Sequence, residues 1–109
     1  MTIGNVHGKY AVSPPLLDWA RLDAVRAEAG DTPLVLHGAS GLPEEQIRRA
    51  IRASICKFNV NTEVRAAARA AVAARAAEGK DVLDVMGGAV EAMVPVVAAK
   101  MMSFAPDER

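Results

Sequence analysis

Apolar and polar positions along the chain follow two rhythms, short runs of period two and longer runs of period three to four. Thr2 to Val6 reads as a strand ending at His7-Gly8, Pro33 to Leu36 as a second ending at His37-Gly38, and Ile55 to Val60 as a third. Helical patterns lie between and after them. Asp18 is placed to cap a helix from Trp19 to about Ala29, where Trp19, Leu22, Val25 and the stem of Arg26 recur at helical spacing and Gly30 marks the stop. Pro43 is expected at the first position of a second helix reaching about Ala53, with Glu44 and Glu45 in the turn that the macrodipole favours for acids. Thr62 is expected to cap a long helix through Ala77, stopped by Gly79, and a last helix runs from about Val82 to Met102. Gly87, Gly88 and Pro95 are poor interior residues for that last helix, since a mid-helix proline costs about 3 kcal/mol.

Strands that alternate with helices, at connections too long for hairpins, predict a parallel sheet with right-handed crossovers. The fold class is α/β, and no repeat or linker divides the chain, so residues 1–109 are expected to form one domain. Within each strand the polar residues share a face. Asn5 and His7 stand with Ile3, His37 with Val35, and Lys57 and Asn59 with Ile55. Leu34, Leu36, Cys56, Phe58 and Val60 face the other way, toward helices. A sheet covered on both sides does not place Asn, Lys and two His on an inner face, whereas a barrel opening into a polar site does.

Composition narrows the function class. Thirteen basic residues balance thirteen acidic ones, which argues against a nucleic-acid or anionic-membrane partner. Hydrophobic residues reach 51% and exclude a disordered chain. The single cysteine, Cys56, cannot form an internal disulfide and is expected to be a small buried hydrophobe in a reducing, cytoplasmic setting. Met1 to Pro15 has no basic region followed by an apolar run, and the apolar stretches look too short to span a bilayer, so neither a leader nor a membrane anchor is expected.

Candidate chemistry gathers at the strand ends. His7 and His37 each close a strand, one βα unit apart, and each precedes glycine. They can therefore project from neighbouring strands at the carboxyl edge where parallel α/β folds bind ligands. Two converging imidazoles make a reasonable part of a zinc site, but without a third ligand the spacing alone favours two hydrogen-bonded strand-end histidines without metal. Gly38-Ala39-Ser40-Gly41 offers backbone amides and a hydroxyl ahead of a helix, and Asn59-Val60-Asn61-Thr62 does the same from the next strand. Together they suit a phosphate, and singly they suit ordinary turn and capping chemistry. Arg65, Arg69 and Arg75 read as a solvated stripe, Lys57 as a structural ion pair, and Met86, Met93, Met101 and Met102 with Val90, Val94 and Val97 as a packing or subunit-contact stripe.

Ile3-Gly4-Asn5-Val6-His7-Gly8-Lys9-Tyr10, Leu34-Val35-Leu36-His37-Gly38-Ala39-Ser40-Gly41-Leu42-Pro43 and Ile55-Cys56-Lys57-Phe58-Asn59-Val60-Asn61-Thr62-Glu63 resemble the C-terminal part of class II, zinc-dependent ketose-bisphosphate aldolases. The tagatose-bisphosphate branch is the nearer and the fructose-bisphosphate branch the next. The resemblance runs over nearly the whole chain in order. It implies about the last three βα units of a (β/α)₈ barrel, ending in a long C-terminal helix. It implies aldol cleavage or condensation between a ketose 1,6-bisphosphate and the pair glycerone phosphate and glyceraldehyde 3-phosphate. His7 and His37 would be Zn²⁺ ligands, and Gly8, Gly38, Ala39, Ser40, Asn59, Val60, Asn61 and Thr62 would hold the phosphorylated substrate.

The chain also departs from that family. A (β/α)₈ barrel takes about 250 residues, and this sequence begins at what resembles the sixth strand. The third zinc histidine and the neighbouring proton-transfer aspartate of the family have no counterpart here. Asp18, Asp23, Asp31, Asp81, Asp84 and Asp107 fall on helices, their approaches or the tail. Ser54 occupies a position that is usually glycine, and Gly87, Gly88 and Pro95 are unlike the usual last helix. The expectation is a chain inactive alone, working as a homo-oligomer or with a missing N-terminal barrel half. The alternative expectation is a non-catalytic fragment or phosphosugar-binding module that acts by docking to that half.

Overall fold

Three consecutive apolar residues form β1 (Leu34–Leu36), and Ile55-Cys56-Lys57-Phe58 forms β2 (Ile55–Phe58) parallel to it. The structure is a computed structural model that describes residues 3–4 and 16–105. The expected first strand, with His7 and Gly8, lies outside the described residues apart from Ile3 and Gly4, which form a bend. The helices are α1 (Trp19–Ala29), α2 (Glu44–Arg52), α3 (Thr62–Ala77) and α4 (Val82–Phe104). The β1–α2–β2 step is a parallel crossover, as the alternation requires.

Register explains where the expected faces fail. Leu34 pairs with Ile55, but Val35 pairs with Lys57 and Leu36 with Phe58, so one extra residue, Cys56, sits opposite the Leu34–Val35 step. Ile55 is therefore buried with Leu34 and Leu36 rather than lying on the polar face. Cys56 is exposed, not buried as expected. Lys57 is exposed as well, and the structural ion pair expected of it is not found among the described residues.

The core lies between this sheet, α1 and α2, and is built from Leu22, Leu34, Leu36, Ile47, Ala50 and Ile55, closed by Ile3 and Leu17. Asp18 caps α1 by accepting from the Arg21 N–H at 2.9 Å. Pro43 stands at the N-cap of α2 rather than inside it. Arg49 lies 4.2 Å over the Trp19 ring, fastening α2 to α1 by a cation–π contact.

Helices α3 and α4 stand largely outside that core. No residue of α3 is buried, and of α4 only Gly88 is. The two form an antiparallel hairpin, which raises the radius of gyration to 16.9 Å, against about 13 Å for a compact chain of this length. The last turn of α4 anchors the hairpin. Phe104 stacks on Phe58 with ring centroids 4.6 Å apart, Arg48 donates to the Ala105 carbonyl at 2.7 Å, and Ser103 donates to Glu44. The Ser103 hydroxyl, and after it Arg48 and Lys100, hold the Glu44 carboxyl below its ordinary value against the opposing effect of desolvation.

Helix α4 stays continuous over 23 residues in spite of its glycines and Pro95. Arg75 supplies the reason at Gly88. Its guanidinium lies directly over that glycine to reach the Asp84 carbonyl at 3.4 Å and the Glu91 carboxylate at 2.7 Å. Contrary to expectation, α4 is also long and apolar enough to cross a membrane, with a mean hydropathy of 1.7.

Ser54 adopts φ 66°, the only positive value among the described non-glycine residues, where α2 hands over to β2. Ser54→Gly is expected to stabilise the fold by about 1 kcal/mol, read as a higher urea midpoint, because glycine bears no Cβ penalty in that conformation. Gly88→Ala displaces the Arg75 guanidinium, whose partly exposed ion pair contributes about 0–1 kcal/mol, while alanine is the better helix former by about 1 kcal/mol, so the midpoint is expected to stay the same or rise. A lower midpoint would show that Arg75 is held over Gly88 at a cost the ion pair alone does not explain.

Candidate functional site

Both described strands end in a loop that leads straight into a helix, and the two loops are laced together. After β1 come His37, Gly38, Ala39, Ser40 and Gly41, and after β2 come Asn59, Val60 and Asn61, with Thr62 opening α3. The parallel ladder extends past the strands through Asn59, whose N–H donates to the Leu36 carbonyl at 3.0 Å and whose carbonyl accepts from the Ala39 N–H at 3.0 Å. Its side-chain amide lies 3.0 Å from His37 Nδ1. The imidazole is half-buried and held in a fixed direction. The Asn61 N–H donates to Ser40 Oγ at 3.3 Å, and the Ser40 side chain is buried beneath the loop. Gly38 and Gly41 have φ of 64° and 78°, so the tight path of the first loop depends on residues without a Cβ.

Three of the amides expected to await a phosphate, those of Ala39, Gly41 and Asn61, instead donate to protein acceptors. They build the loops rather than line them. The open side lies at the start of α3. Asn61, not Thr62, occupies the N-cap position there, and its side chain makes no capping bond. A groove of about 480 Å³ adjoins it, lined by Asn61, Thr62, Arg65, Ala66 and Arg69. A helix N-terminus beside two guanidinium groups is a setting for an anion.

The structure thus brings together Gly38, Ala39, Ser40, Asn59, Val60, Asn61 and Thr62 with His37 at one edge. His7 and Gly8 lie outside the described residues. Arg65 and Arg69, read from sequence as a solvated stripe with Arg75, line the groove, while Arg75 serves the α3–α4 contact. Glu63 was missed as a functional residue. It accepts from the Gly41 N–H and pairs with Lys100 at 2.8 Å, joining the first loop, α3 and α4. Its first-turn position was visible, but neither partner is near it in sequence.

Among the described residues no three His, Cys, Asp or Glu side chains converge in a way that could hold a metal ion. His37 is suited to be one ligand, because a half-buried imidazole oriented by a neighbouring amide resembles the outer-shell support of a metal-bound histidine. A catalytic zinc takes three protein ligands, and the chain has two histidines. The donor set therefore fits part of a zinc site.

The sequence model for class II fructose-bisphosphate aldolase matches residues 1–109. The YdjI aldolase from Escherichia coli K12 is similar at 32% identity with a TM-score of 0.76, over 97% of this chain and 38% of that one. A putative fructose-1,6-biphosphate aldolase from Coccidioides immitis is similar at 29% identity with a TM-score of 0.84, over 94% of this chain and 36% of that one. The chain spans a little over a third of these relatives, and its helix-rich α/β architecture matches a C-terminal part of their barrel.

Glu63→Ala removes both the Gly41 acceptor and the partner of Lys100. The Gly41 amide is expected to exchange with solvent at least about tenfold faster, since a hydrogen bond to a charged group contributes about 1.5–3 kcal/mol. Unchanged protection by NMR would show that Glu63 does not hold the loop.

Proposed function

Since the chain belongs to the class II fructose-bisphosphate aldolase family, we propose that it carries the phosphate-gripping strand ends and part of the metal-ligand set of an aldolase. The reaction is cleavage or condensation of a ketose 1,6-bisphosphate, tagatose or fructose, with glycerone phosphate and glyceraldehyde 3-phosphate as the three-carbon partners. The interlock of the His37–Gly41 and Asn59–Thr62 loops carries this reading, because it sets a histidine and an anion-favouring helix start at the same carboxyl edge. Gly38, Ala39 and Ser40 shape the wall of the substrate site, and Asn59, Val60, Asn61 and Thr62 shape its other wall. Arg65 and Arg69 add fixed positive charge along the groove.

His37, together with His7, would hold the zinc, and Asn59 would keep the His37 ring turned toward it. Zinc bound there supplies Lewis-acid stabilisation of the negative charge that develops during aldol chemistry. This chain's own residues bind the phosphorylated end and orient it. They do not move the proton. Asp18 caps α1, Asp81 caps α4 through the Leu83 and Asp84 N–H groups, and Asp23, Asp31 and Asp84 are exposed on helices or their approaches. No aspartate among the described residues is left to move the proton, and the reading takes the proton-transfer group and a third ligand from outside the chain.

One observation favours a second reading, in which the chain binds phosphosugar without catalysis until it docks to the rest of a barrel. Among the described strands β2 pairs on one edge alone, and its outward residues Cys56 and Lys57 are exposed. An unpaired edge is a surface for strand addition.

A coupled retro-aldol assay with both bisphosphates and added zinc is expected to show no turnover by the chain alone, while glycerone phosphate binds by calorimetry. Arg65→Ala with Arg69→Ala is expected to weaken that binding at least about tenfold, from the loss of charge-assisted contacts. Chelator-sensitive turnover would show that the chain completes its own site. Binding unaffected by the double substitution would overturn the placement of the phosphate.

A further inference from the structure

We infer that Lys100 is a positioning residue of the phosphate site, acting through Glu63 to keep the start of α3 attractive to an anion. This role rests on reading that helix start as the seat of the substrate's phosphate. It goes beyond that reading, because Lys100 belongs to α4 and stands outside the groove.

Charge at the start of α3 is in conflict. Thr62, Arg65, Ala66 and Arg69 share one face of the helix and line the groove. Glu63, the residue after Thr62, puts a carboxylate into the same first turn. Val64, next again, lines an apolar groove against α4. A helix start carries about half a positive charge, so one full negative charge in its first turn reverses the sign that an anion would meet. A first-turn carboxylate thus competes with a phosphate for the same partial charges.

Two contacts resolve the conflict. One Glu63 carboxylate oxygen accepts from the Gly41 N–H, and the other lies 2.8 Å from Lys100 Nζ. The first contact turns the carboxylate toward the loop, and the second cancels its charge. The helix start then keeps the positive end to which Arg65 and Arg69 add. The Lys100 and Glu63 side chains are 21% and 31% exposed, so solvent screens this pair less than a pair on the open surface.

Fastening α4 to α3 does not by itself account for this arrangement. Arg75 and Glu91 make the other ion pair between the two helices, and Arg75 bonds only within the hairpin. Glu63 instead carries the contact on to the first loop. Helix α2 repeats the device at its own start, where Glu44 takes the Ser103 hydroxyl and Arg48 and also feels the charge of Lys100. The last turns of α4 therefore serve the starts of both helices that follow the site loops.

Calorimetry of the chain with glycerone phosphate tests this role. Lys100→Met is expected to weaken binding at least about threefold at low ionic strength, with helix content by circular dichroism unchanged. The loss is expected to shrink as salt rises, since at 1 M the reach of a charge falls to about 3 Å. Glu63→Gln keeps an oxygen for the Gly41 N–H and removes the charge. In the Lys100→Met background it is expected to restore the affinity of the parent. Arg75→Met breaks the other ion pair about 18 Å farther along α3 and is expected to leave the affinity unchanged. Full affinity in Lys100→Met overturns the inference. So does a loss that Glu63→Gln does not relieve or that Arg75→Met reproduces, because either result reduces Lys100 to a fastening of the hairpin. A parent chain that binds no glycerone phosphate overturns the phosphate reading itself, and this role with it.

Discussion

Asn59 is the residue on which the order of the site depends. Its backbone carries the β1–β2 ladder one step past the strands, to the Leu36 carbonyl on one side and the Ala39 N–H on the other, and its side chain meets His37. A loop held at both backbone groups and at the side chain loses the freedom that loops ordinarily keep. Two strands of three and four residues are a small sheet, so the ladder alone is a weak scaffold. Extending it through Asn59 turns that short sheet into a rigid wall. Ser40 and Glu63 add the remaining ties, one from beneath the loop and one from the first turn of α3.

These ties change how the two glycine-bearing loops are to be understood. Amides placed ahead of helices suggest a cradle, because an unpaired N–H near a helix start attracts an anion. Here Ala39, Gly41 and Asn61 use their N–H groups to bind loop to loop or loop to helix. The anion-favouring position moves along the edge to the start of α3, where no side chain caps the helix and Arg65 and Arg69 line the groove. The loops act as the mount, and α3 presents the charge.

Local features of the fold were legible in the sequence. The helix over Trp19–Ala29 and the one ending at Ala77 fall where caps, stops and periodicity put them, because those signals act within one or two turns. The grouping of His37 with the Gly38–Gly41 and Asn59–Thr62 loops was legible as well, since parallel crossovers force successive strand ends to one edge. The bulge at Cys56 was not, because alternation presumes an unbroken register, and the inserted residue sets Ile55 beside Leu34 while Lys57 and Phe58 keep the faces expected of them. Nor was the reason for Gly88, which lies in an arginine thirteen residues earlier. Glu63 shows the same limit, with partners Gly41 and Lys100 on other elements. Long-range contacts of charged side chains leave no periodic trace.

The division of labour between the two parts of the chain follows from where apolar surface is buried. Leu22, Leu36 and Ile47 close a core under the sheet and give the edge its stiffness. The α3–α4 hairpin contributes almost nothing to that core, yet it supplies Glu63, Arg65, Arg69 and Lys100 to the neighbourhood of the loops. Its position is set by one anchored turn, at Phe104 and Arg48, and by ion pairs within the hairpin. Ion pairs at such partly exposed sites add little stability on their own. Residues flanking the anion groove and residues lining the apolar groove are neighbours on α3, Val64 beside Arg65.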